Sequence, residues 1–147
     1  MKNAYTLISL VSIILIIGIL TSVAAPHLNK LKQNAQAYSV IKVAMSTFCS
    51  TPSAYVNMVD LENEYTDKNI TLKSLIGISG YGWSYPDDNK SIYKENGNSI
   101  VTIELGSNRD VNISINCQNF RDKVTRDKCE SQTDNDSSKD YQAIITF

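Results

Sequence analysis

The chain has 147 residues, with 14 basic and 15 acidic side chains and a formal net charge of −1. That length holds one domain with an attached element but not two full domains. The near-balanced charge argues against a dedicated nucleic-acid binder, which is usually basic overall.

The average hides a partition. Residues 1–26 carry one charge, Lys2, while the rest carries 13 basic and 15 acidic residues and has the composition of a water-soluble domain. From Leu7 to Ala25 there are 19 uncharged residues, relieved only by Ser9, Ser12, Thr21 and Ser22. As a helix rising about 1.5 Å per residue, this run spans roughly 30 Å, the thickness of a bilayer core. A cleaved secretory signal fits Lys2, the apolar run and Val23-Ala24-Ala25, but the cut would place Pro26 next to it and the run is long for a signal. A plain signal anchor is a second reading. A third rests on the first ten residues.

Lys2-Asn3-Ala4 followed by Tyr5-Thr6-Leu7-Ile8-Ser9-Leu10 resembles the N-terminus of the type IV pilin and type II secretion pseudopilin family. Members carry a short basic leader, a segment like F-T-L-I-E-L and an apolar helix. Gly18 and Pro26 fall where the family places a helix glycine and a helix proline. The resemblance covers the first quarter of the chain. It implies a leader at 1–4, a transmembrane half-helix at 5–25 and a periplasmic pilin-like domain at 26–147. It also implies cleavage between Ala4 and Tyr5 by a membrane aspartyl peptidase at the cytoplasmic face, with methylation of the new N-terminus at Tyr5.

Two positions depart from the family. Ala4 stands where glycine is preferred, and Ser9 stands where the fifth mature residue is usually glutamate. That glutamate is thought to neutralise the neighbouring subunit's N-terminal amine during docking. A charged group in the membrane costs roughly 2–4 kcal/mol and stays where it has a partner. Ser9 makes no such ion pair, which points to a minor subunit near the filament tip; the plain alternative is a tolerated substitution. Ser9, Gly18 and Pro26 are thus the residues expected to bear on filament assembly. Lys2 on one side of the apolar run and Lys30 and Lys32 on the other leave its orientation open. Only the resemblance orients it, as a single-pass inner-membrane protein with its C-terminal domain in the periplasm.

After Pro26 the apolar positions Leu28, Leu31, Ala35, Tyr38, Ile41, Met45 and Phe48 form one stripe of an amphipathic helix, expected to pack on a sheet. Ser50-Thr51-Pro52 reads as a stop followed by a new helix from Pro52 to about Glu62. Residues 63–98 read as loop-rich, with one or two helical turns at 71–76 ended by Gly77. Beyond Gly97 the period becomes two. Ser99–Leu105 and Val111–Cys117 read as strands joined through Gly106–Asp110, and Tyr141–Phe147 as a terminal strand. Residues 118–140 are polar and read as a loop. The fold class is α+β, a long N-terminal helix packed on a small antiparallel sheet.

Chemistry is sparse. A periplasmic location permits disulfides. Cys117–Cys129 would staple the polar loop to the sheet, and members of the family often have such a C-terminal loop. Cys49–Cys117 is the rival pairing; in the preferred one Cys49 is a buried free thiol. Arg121, Lys123, Arg126 and Lys128 suggest either a phosphate-contacting patch or a solvated loop in which Asp122 and Asp127 offset two of the charges. Tyr81, Trp83 and Tyr85 alternate, which suits a stacking platform for bases or sugars or, more ordinarily, the edge of a small core. Asp134, Asp136 and Asp140 could recruit calcium, which some members of the family bind in this region, but their spacing lacks the glycine and distal glutamate of an EF-hand loop. With His27 as the one histidine, no zinc site or catalytic triad assembles, so neither an enzyme nor a cofactor is expected.

The expected function is that of a prepilin-like subunit of a filament that exports protein or takes up DNA. Its implied partners are other prepilin-like subunits, the prepilin peptidase and an inner-membrane assembly platform. Two alternatives belong to other classes: a tip subunit that binds DNA or an exported protein directly, and a soluble periplasmic domain released by ordinary signal peptidase.

Overall fold

The computed structural model describes residues 2–61, 70–134 and 140–147. One helix, α1, runs from Lys2 to Val56 and closes in a π-helical turn, Asn57–Leu61. Both Pro26 and Pro52 lie inside it. The expected break at Ser50-Thr51-Pro52 does not occur. A proline removes one ladder hydrogen bond, but this turn is held in other ways. Thr51 Oγ1 donates to the Thr47 carbonyl at 2.7 Å and Ser50 Oγ to the same carbonyl at 3.2 Å. Thr47, Phe48, Thr51 and Tyr55 are all buried, so packing keeps the turn in line.

The buried row of α1 is Ala37, Val40, Ile41, Ala44, Thr47, Phe48, Thr51 and Tyr55. This corrects the expected stripe. Ile41 and Phe48 belong to the core and Met45 packs partly against it. Leu28, Leu31, Ala35 and Tyr38 are exposed. The period was right for a helix, but a period does not say where the covering domain begins. Cys49 is also corrected: it is free and exposed. Phe48 takes the inward place, and one further residue turns about 100° away from it.

The sheet is a five-stranded antiparallel meander in sequential order: β1 Trp83–Asp87, β2 Lys90–Glu95, β3 Asn98–Leu105, β4 Asp110–Ile115 and β5 Tyr141–Thr146. β3, β4 and β5 lie where the alternation places them. Their inward pairs, Val101↔Ile115, Ile103↔Ile113 and Leu105↔Val111, form the centre of the core beneath α1. β1 and β2 correct the loop-rich reading of this region. Their inward residues include Ser91 and three aromatics, so simple apolar alternation is weak there. The signal that would have found them is Asn96-Gly97. Both residues have positive φ, 50° and 85°, as a tight hairpin turn between β2 and β3 requires. At the other end of the sequence window, α2 is one turn, Leu72–Leu75, with a Thr71–Ser74 capping box. It ends through an extended Ile76 rather than through Gly77.

The polar stretch 118–140 is not simply a loop. Cys117–Asn119 forms a 3-10 turn, and Lys123–Thr133 forms a helix, α3, that packs against α1. Its inner face is Thr125, Cys129 and Thr133, all buried, at four-residue spacing. These side chains count as polar or ambiguous in any hydropathy pattern, so the helix is invisible to one. Cys117 and Cys129 are bonded, as expected, with their Cα atoms 5.6 Å apart.

The disulfide ties α3 to the end of β4 across a separation of 12 residues. A bridge closing a loop of this size contributes about 3 kcal/mol. Reduction, or a Cys117→Ala/Cys129→Ala double substitution, is expected to lower the urea unfolding free energy by about that amount. Cys49 in the oxidised, folded protein is expected to react with a maleimide; peptide mapping of the labelled chain checks it.

Candidate functional site

Two regions carry functional features. The first is the N-terminal half of α1. Every large apolar side chain from Leu7 to Val23 is between 50% and 68% exposed. This surface is uncovered by its own domain on all sides, and it is the one described helix long and apolar enough to cross a membrane. Three of its hydroxyls are satisfied within the helix: Ser12 donates to Ile8 O at 2.9 Å, Thr21 to Ile17 O at 2.7 Å and Ser22 to Ile19 O at 2.8 Å. Such pairing is what an apolar environment demands of polar groups. Ser9 lines a shallow notch with Thr6, Leu10 and Ile13. At Gly18 an added Cβ would meet nothing within 4 Å, so any packing reason for glycine there lies in a neighbouring molecule. Ala4 and Tyr5 belong to α1 by backbone.

The second region is an open cleft of about 790 Å³ between α1 and the β1–β2 edge of the sheet. Lys32 and Gln36 line it from α1, Tyr81 and Trp83 from the turn into β1, and Lys94 and Glu95 from β2; Arg121 joins them from the segment before α3. Trp83 leans on Tyr93 at 5.4 Å between ring centroids, and Tyr93 on Phe120 at 6.4 Å. Gly82 makes this stack possible. It has φ +87°, its carbonyl accepts from Lys94 N at 2.8 Å, and a Cβ there would come within 2.5 Å of the Tyr93 ring. Gln36 Nε2 donates to the Tyr93 hydroxyl at 3.3 Å and to Glu95 Oε1 at 3.4 Å. Burial pushes the Tyr93 phenol above its ordinary value of 10.0; the Gln36 bond opposes this and the Glu95 carboxylate adds to it.

The residues singled out from sequence are mostly dispersed. Tyr85 is structural: its hydroxyl accepts from Ile78 N and donates to Ile76 O, each at 2.7 Å. Trp83 is half-buried against the core, while Tyr81, in the turn before the strand, is 97% exposed. Of the four basic residues, Arg121 alone lines the cleft. Lys123 and Arg126 are three apart on α3 and share a side, whereas Lys128 lies about 140° around from Lys123. Asp136 lies outside the described residues, and Asp134 is the left-handed C-cap of α3 with φ 52°. Among the described residues no three His, Cys, Asp or Glu side chains are grouped to hold a metal ion. Lys32, Gln36, Lys94 and Glu95 were missed, because only the β2 register and the packing of α1 beside it bring them to Trp83.

The raised Tyr93 pKa has a definite sign. The folded state holds this proton more tightly than the unfolded state, so the contribution to stability is present below the unfolded value near 10 and is lost as pH rises through the folded value. The urea midpoint is expected to fall more steeply above pH 10 in the native protein than in Tyr93→Phe. Parallel unfolding series of the two proteins from neutral to strongly alkaline pH check it.

A long apolar N-terminal helix packed on an antiparallel sheet is compatible with a pilin-like architecture. The chain matches no family model, no curated protein and no solved structure.

Proposed function

We propose that this chain is a prepilin-like subunit of a type II secretion or type IV pilus-like filament, assembled from the inner membrane for protein export or DNA uptake. One observation carries the reading. A single helix is bare and apolar around its whole circumference in its first half and carries a folded domain on one side of its second half. A helix of that design moves from lipid into a bundle of like helices without exposing apolar surface to water, because both surroundings accept the same side chains. Ser12, Thr21 and Ser22 already bond to the helix's own carbonyls, so neither state leaves these three hydroxyls unpaired. The N-terminal segment supplies the second support. Lys2 through Leu10 fits a leader cleaved between Ala4 and Tyr5, with prepilin peptidase and the assembly platform as partners.

The mature protein is then expected to begin with N-methyl-Tyr5, which intact mass measurement on membrane-purified protein reads directly. A chain beginning at Pro26 or nearby would overturn the proposal.

Ser9 in place of the glutamate supports a subunit near the filament tip, where no amine ahead of it needs a counter-charge. A carboxylate added there has no partner and retains its desolvation cost. Ser9→Glu in the native host is therefore expected to leave export or DNA uptake unchanged or reduced, with few copies per filament by crosslinking. Improved activity with copies spread along the filament would show a mid-stack subunit instead.

A further inference from the structure

We propose that the cleft between α1 and the β1–β2 edge binds the headgroup of an anionic lipid from the bilayer that α1 enters; the proposal rests on reading Leu7–Ala25 as a membrane span. The argument begins with distance along the helix. Nineteen residues fill the roughly 30 Å hydrocarbon core, and the headgroup layer adds roughly 5–8 Å on each side. Lys32 lies seven residues beyond Ala25, which is about 10 Å along the axis. Side chains on a helix tilt toward its N-terminus, here toward the bilayer, and a lysine chain bridges the rest. The lower end of the cleft thus opens at headgroup level.

The charges fit the same ligand. Lys32, Lys94 and Arg121 face one carboxylate, Glu95, a local balance of +2. None of the three cations is in an ion pair among the described residues, and all three are exposed. Glu95 accepts from Gln36 through Oε1, while its Oε2 is buried without a hydrogen-bond partner among the described residues. The aromatic groups fit as well. A tyrosine ring 97% exposed is poorly placed in water but well placed at a membrane interface, where tyrosine and tryptophan concentrate. A nucleic-acid strand also uses cations and rings. A strand long enough to leave the cleft, however, meets a domain with 13 basic and 15 acidic residues. A single headgroup meets only the positive cleft.

Trp83 is the chain's one tryptophan, so its fluorescence reports on this site alone. The full chain is reconstituted in nanodiscs of phosphatidylcholine with increasing phosphatidylglycerol, and Trp83 quenching by headgroup-spin-labelled phosphatidylglycerol is followed. Saturable quenching is expected that weakens with salt. Lys32→Gln, Lys94→Gln and Arg121→Gln are each expected to raise the half-saturating mole fraction roughly fivefold, while Lys32→Arg retains the native value. A urea midpoint for each variant close to the native one confirms that the variants fold. Equal quenching by spin-labelled phosphatidylcholine would overturn the proposal. So would a response in detergent to inorganic phosphate or to an oligonucleotide as strong as that to phosphatidylglycerol. A chain that fails to float with vesicles would overturn the membrane reading itself; one that floats without headgroup preference would overturn only the lipid site.

Discussion

One helix is bare and apolar in its first half and covered on one face in its second, and the rest of the molecule is arranged around that constraint. A helix closes its backbone hydrogen bonds within itself, so it is the element that can leave a folded domain and enter an apolar phase without orphaned amides. α1 runs from its bare half into the domain without a break: Pro26 and Pro52 both sit inside continuous helix. Whatever acts on the bare half therefore reaches the domain through continuous helix rather than through a linker.

The domain has to hold that helix by one face only. It does so with a small core in which Val40, Ile41, Ala44 and Phe48 meet the inward rows of β3 and β4. The upper end is secured separately. Phe147 packs edge-on against Tyr55 at 5.1 Å, and Arg109 lies over the same tyrosine at 5.6 Å while reaching Asp60 at 3.9 Å. α3 lies alongside α1 and is tied to the sheet by Cys117–Cys129. Its contact face tolerates cost: Thr125 is buried with its hydroxyl unpartnered among the described residues, a loss of the kind typically worth about 1–3 kcal/mol. The disulfide offsets that weakness. The lower end of the domain is the cleft, where Gln36 links α1 to Tyr93 and Glu95 of β2. Attachment of the helix and geometry of the cleft are thus one piece of structure.

The sequence by itself determined the apolar run, the helical period beyond Pro26, β3 to β5 and the α+β class, while the choice of Cys117–Cys129 over Cys49–Cys117 came from the structure. The former are properties of neighbouring residues or of a repeat, and short-range physics sets them. Tertiary structure alone decided where the domain begins on α1, because Leu28 and Leu31 have the same period as Ile41 and Phe48 and differ only in having nothing packed on them. It decided that α3 exists, because Thr125, Cys129 and Thr133 form a buried face through their position and not through their hydropathy. It assembled the cleft from residues as far apart as Lys32 and Arg121, since only the packing of α1 across an antiparallel meander brings them to one place.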